Sequence, residues 1–70
     1  MTQSLRLNGK VEVVAATTVD GLLRERGIDP VQVRFLAVAV NGSVVPRGEW
    51  PSRALAPEDE VEIVRPLQGG

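Results

Sequence analysis

The chain has 70 residues, 43% hydrophobic and 24% charged, with eight Lys and Arg against nine Asp and Glu and a formal net charge of -1. A chain this short makes one small domain that buries about 60% of the surface its unfolded form exposes, so a plain apolar core must stabilise it. It has no cysteine and no histidine, which excludes disulfides, zinc sites, cysteine nucleophiles and the ordinary neutral-pH general base.

The charges are spread along the sequence, without the cationic stripe of a nucleic-acid binder. No apolar run approaches the roughly 20 residues of a membrane-crossing helix. Met1-Thr2-Gln3-Ser4-Leu5-Arg6 lacks the basic and apolar regions of a secretory leader. The expectation is a cytoplasmic domain with neither a nucleic acid nor a membrane as partner.

Residues 4 to 14 read as a hairpin. Leu5 and Leu7 alternate with Ser4, Arg6 and Asn8, and Val11 and Val13 with Lys10 and Glu12. Asn8-Gly9 signals the turn. A two-residue turn would set Leu7 opposite Lys10, whereas a three-residue loop over Asn8, Gly9 and Lys10 sets Leu7 against Val11 and Leu5 against Val13. The longer loop is the preferred reading. A helix follows, capped by Thr17 or Thr18, with Asp20 in its first turn. Val19, Leu22, Leu23 and Arg26 share one stripe. Gly27 suits the left-handed C′ position and Ile28 the contact back to Leu23. Asp29-Pro30 ends the helix, and residues 30 to 33 are compatible with one further helical turn.

Phe35 to Val40 is a short apolar run and predicts a mostly buried strand. Asn41-Gly42 turns it into Val44-Val45, which Pro46 limits to a brief edge strand. Residues 46 to 57 hold three prolines and Trp50, and predict an ordered loop anchored by Trp50 and Leu55. Glu58-Asp59-Glu60 predicts a turn and Val61 to Val64 the last strand, ended by Pro66, which has no ladder donor. The sum is β-β-α-β-β-β, an α+β domain in two layers: a mixed sheet of four to five strands with one main helix packed on one face. The folded body is expected over 1–66, with a flexible tail over 67–70.

That tail is Leu67-Gln68-Gly69-Gly70. At average glycine usage, a terminal Gly-Gly arises by chance in roughly one protein in two hundred, so the pair alone is a weak signal. Its place after a strand stopped by proline says more. Four unpaired residues reach up to ~14 Å, and two glycines form a strip without side chains, thin enough for a narrow channel. The carbonyl of Gly70 has no Cβ to obstruct attack. Its carboxylate, with a pKa of about 3.5, is ionised at neutral pH and a poor electrophile, so it must be activated, most simply with ATP. No G-x-x-x-x-G-K-[ST] loop is present. Activation therefore falls to a partner, and the chain is the substrate.

Ala37-Val38-Ala39-Val40-Asn41, Val45-Pro46-Arg47, Trp50, the acidic turn before Val61 and Ile63, and terminal Gly69-Gly70 together resemble the ThiS family. N-G-x-V-V-P-R-x-x-W is the specific part, and the resemblance spans nearly the whole chain. It departs in two turns. Glu58-Asp59-Glu60 stands where the family often has Gly-Asp, and residues 28 to 35 are longer than expected.

The resemblance implies the β-grasp, ubiquitin-like fold and a sulfur carrier for thiazole formation in thiamin biosynthesis, not itself an enzyme. A ThiF-type, E1-like adenylyltransferase would adenylate Gly70. Sulfur from a cysteine desulfurase or sulfurtransferase would convert it to a thiocarboxylate, and a ThiG-type thiazole synthase would accept that sulfur. This chain itself would bind no cofactor and no metal, the partners using ATP and the sulfur donor. The absence of cysteine fits, since a persulfide cannot then carry the sulfur. The related molybdopterin-synthase small subunit uses the same chemistry, but usually has Pro-Pro where this chain has Arg65-Pro66-Leu67. A non-covalent β-grasp interaction module is the reading from another class.

The remaining candidates weigh function against plain structure. Ala37 and Ala39 share the parity opposite to Val38 and Val40, and so suit a partner's surface or a minor second packing layer. Val64 and Leu67 suit a docking patch or a structural role. Glu58, Asp59, Glu60 and Glu62 suit a basic partner, although charge runs at turns are usually solvated. Trp50 reads as a core plug, Arg47 and Arg65 as surface groups, and the lone lysine, Lys10, as a loop residue.

Overall fold

The computed structural model describes residues 1–65, so the tail expected over 67–70 lies outside the described residues. The elements are β1 (Gln3–Leu7), β2 (Lys10–Val14), α1 (Val19–Glu25), β3 (Ala37–Val40), β4 (Ser43–Val44), a 3-10 turn at Arg47–Glu49, and β5 (Glu60–Val64). The strands form one sheet in the order β2-β1-β5-β3-β4. β1 and β5 run parallel, and the other neighbours antiparallel. With one helix on one face, this is the expected α+β, β-grasp arrangement.

The first hairpin departs from the preferred reading. Leu7 pairs with Lys10 and Leu5 with Glu12, so the loop is the two residues Asn8 and Gly9. Their φ values of 50° and 85° are those of the primed turn whose twist matches the flanking strands, and Asn-Gly adopts it readily. Turn geometry outweighs side-chain parity. Val11 and Val13 consequently lie 66% and 65% exposed on the sheet's open face, while Glu12 shares the helix side with Leu5. Glu12 is tolerated there because β2 is an edge strand, and the Arg26 guanidinium at the helix end lies 3.5 Å away.

Thr18 proves to be the N-cap, its hydroxyl accepting from Gly21 N at 3.1 Å. At the other end, Ile28 N donates to Leu23 O at 2.8 Å and Gly27 N to Arg24 O at 3.0 Å, with Gly27 at φ 81°. These are the paired bonds of a Schellman ending. On the helix surface, Asp20 lies 2.9 Å from Arg24 and raises its pKa, chiefly by their hydrogen bond and then by charge attraction. Because a guanidinium stays protonated anyway, no pH switch results.

Strand β3 begins at Ala37, and Phe35 is 60% exposed rather than part of a buried strand. Both neighbours run out there: Ala37 pairs with Val64 at the end of β5, and Pro46 cannot extend the ladder from β4. The stretch 46 to 57 is more regular than expected. It holds the 3-10 turn, and Ala54 bridges to Thr18. Glu60 belongs to β5 rather than to the turn before it.

Val19, Leu22 and Leu23 from the helix pack on Leu5, Leu7, Val14, Val38, Val40 and Val61 from the sheet. Trp50 and Leu55 anchor the long connection into this core, as expected. Among the described residues, no helix is long and apolar enough to cross a membrane.

Candidate functional site: the strand that carries the C-terminus

Strand β5 leads to the C-terminal residues, and it is the middle strand of the five, between β1 and β3. Arg6 N donates to Asp59 O and Asn8 N to Val61 O, both at 2.9 Å. On the other side, Ala37 to Val40 pair with Val64 to Val61. A central strand cannot leave the sheet without breaking two ladders.

Two side chains add to this hold. β1 ends at Leu7, yet Ile63 N still finds a partner, the Asn8 side-chain oxygen at 2.8 Å, while Asn8 Nδ2 donates to Ile63 O at 3.3 Å. The side-chain amide stands in for a further residue of β1. At the start of β5, Asn41 Oδ1 accepts from Glu60 N at 2.9 Å, and Asn41 N donates to Glu60 O at 2.7 Å. Asn41 Nδ2 also donates to Asp59 Oδ1 at 3.0 Å. Both asparagines sit in left-handed turns, at φ 50° and 52°. The sequence reading used them only as turn formers. The missed signal is that an Asn held in such a turn presents its amide to the neighbouring backbone.

The Val45-Pro46-Arg47 and Trp50 signature is also structural. Trp50 is 2% exposed, and its indole N–H donates to Val45 O at 2.9 Å. Arg47 is exposed, as expected of a surface group, but it also ties two segments together. Its guanidinium donates to Pro30 O at 2.9 Å, to Arg34 O at 3.2 Å and to Val33 O, and its carbon lies 4.8 Å from the centre of the Trp50 ring. One planar fork thus pins the segment over 30 to 34 to the Trp50 anchor.

The ThiS family model matches residues 2–70. The chain belongs to the ThiS family. It is also similar to the crystal structure of the thiamine biosynthesis protein ThiS from Geobacter metallireducens, at a TM-score of 0.79 and 27% identity, over 97% of this chain and 100% of that one. No curated protein matches it.

Within this ThiS-family sheet, the residues expected to meet partners are only partly gathered. Ala37, Ala39, Glu60, Glu62 and Val64 all lie on the open face, away from the helix. There they join Val11, Val13 and Val44, the last 73% exposed. Asp59 stands apart: its carboxylate accepts from Ala56 N at 2.9 Å as well as from Asn41. Glu58 is exposed in a left-handed conformation at φ 69°. Leu67, Gln68, Gly69 and Gly70 lie outside the described residues. Among the described residues, no cluster of three metal-ligating side chains occurs.

Proposed function

We propose that the chain is a sulfur carrier of thiamin biosynthesis that works through the carboxylate of Gly70 and is itself the substrate of partner enzymes. The observation that carries this is a family match running to residue 70, on a chain whose Gly-Gly end follows the central strand of its sheet. A Gly70 carboxylate oxygen attacks the α-phosphate of ATP on an E1-like, ThiF-type adenylyltransferase, releasing pyrophosphate. A persulfide, supplied through a cysteine desulfurase or sulfurtransferase, then displaces AMP to give an acyl disulfide. A thiol from a partner or a small-molecule reductant cleaves its S–S bond, itself being oxidised to a disulfide, and leaves the thiocarboxylate. A ThiG-type thiazole synthase takes that sulfur.

The central strand supports this reading physically. Each enzyme must draw the terminal residues into its own site, and the body of the carrier must hold its end of the chain meanwhile. Two flanking ladders and the amides of Asn8 and Asn41 supply that hold. The open face, with Ala37, Ala39, Glu60 and Val64, is the surface proposed to meet the adenylyltransferase, and Glu58 and Asp59 flank it. Deleting Gly70 tests the assignment. Pyrophosphate exchange with the adenylating partner should vanish while the fold is retained. Exchange that survives the truncation would overturn the assignment to Gly70. A wild type that binds its partner without any exchange would instead favour a non-covalent interaction module.

A further inference from the structure

Two shallow grooves meet beside Arg65, the residue that follows β5. One is lined by Lys10, Arg26, Ile63 and Arg65, the other by Asp29, Arg34, Phe35 and Arg65, and Ile28 forms the floor common to both. Four cations therefore surround the point where β5 ends. They come from the start of β2, the helix end, the segment before β3 and the residue after β5, so no run of basic residues announces them. Among the described residues, Arg26 is paired with Glu12, whereas Lys10, Arg34 and Arg65 join no ion pair. The one carboxylate lining these grooves, Asp29, accepts from Val31 N at 2.9 Å. The acids of β5, Glu60 and Glu62, lie on the sheet's open face. Phe35 adds an apolar ring, 60% exposed, to the same rim.

We propose that this basic collar docks on an acidic lip around the channel by which the adenylating enzyme accepts the C-terminus, with Arg34 and Arg65 facing its carboxylates and Phe35 seated between them. The proposal rests on the sulfur-carrier reading and adds the chemistry of the partner's surface. Chain length supplies the first argument. Pro66 to Gly70 is five residues, which reach at most ~17 Å when extended. A partner that works on Gly70 in an enclosed site must bring its channel mouth close to Arg65 and what surrounds it. Charge supplies the second, since guanidinium groups without counter-ions match carboxylates in paired geometry. A nucleotide is a poorer occupant. Its phosphates act at Gly70, at the far end of that reach.

The test is steady-state pyrophosphate exchange with the adenylating partner at several salt concentrations, using the full chain. R34E/R65E should raise the KM for the carrier by about tenfold, leave kcat nearly unchanged, and flatten the rise of KM with salt seen for the wild type. R34K/R65K should keep that salt dependence. R53E, with half that charge change and at the opposite end of the helix, should shift KM less than about twofold. Thermal unfolding of each variant confirms that it folds. A folded R34E/R65E with wild-type KM and salt response overturns the collar and leaves the sulfur-carrier reading standing. No exchange by the wild type with a competent partner overturns that reading, and the collar with it.

Discussion

Replacing Asn8 with glycine should loosen the strand that carries the C-terminus without disturbing the turn. Glycine adopts φ 50° freely, so Asn8→Gly removes only the side-chain amide and its bonds of 2.8 and 3.3 Å to Ile63. An exposed hydrogen bond contributes about 0.5–1.5 kcal/mol net, and the longer one belongs at the low end. The greater freedom of glycine in the unfolded chain adds a few tenths of a kcal/mol. The sum is about 1–2 kcal/mol, which for a domain of this size lowers Tm by roughly 5–15 °C. Amide exchange at Ile63 should quicken by roughly 5–30-fold. Asn8→Asp, which keeps the acceptor for Ile63 N and loses the donor, should fall between. The assays are thermal denaturation followed by circular dichroism and hydrogen exchange followed by NMR. A Tm within a degree of wild type, with Ile63 protection intact, would refute the claim that this side chain extends the ladder.

Other substitutions probe the remaining supports. Glu58→Gly should stabilise the fold by roughly 0.5–1 kcal/mol, because a left-handed residue with a Cβ costs about 1–2 kcal/mol and glycine gives part of that back in unfolded-state entropy; chemical denaturation reads the midpoint shift. Arg47→Lys should cost about 1–2 kcal/mol and speed amide exchange over residues 30 to 36, since an ammonium cannot fork to three carbonyls while stacking on Trp50. If exchange in that segment is unchanged, its order comes from elsewhere.

Much of the fold was legible because local chemistry and the global arrangement agree. Thr18, Gly27 and Ile28 mark the two ends of the helix, and the structure uses each as the sequence suggests. The first hairpin was misread because two local rules conflict there. Alternation favours pairing Leu7 with Val11, whereas Asn-Gly favours the tight turn, and the turn prevails at an edge strand where Val11 and Val13 can face outward. The roles of Asn8, Asn41 and Arg47 were invisible for another reason. Their partners at Ile63, Glu60, Pro30 and Arg34 are distant in sequence, so only the folded chain brings them together. The basic collar is hidden in the same way. The candidate reactive group, in contrast, was read from two terminal residues and a proline, without any tertiary information.

The central claim is that Gly70 carries sulfur as an acyl group. Intact mass spectrometry of the full chain, after incubation with ATP, an E1-like adenylyltransferase and a sulfur donor, tests it directly. The account predicts a mass gain equal to one oxygen replaced by one sulfur, located in the C-terminal peptide and absent when ATP is withheld. An unchanged mass in the presence of a competent partner, or sulfur found anywhere but Gly70, would contradict it.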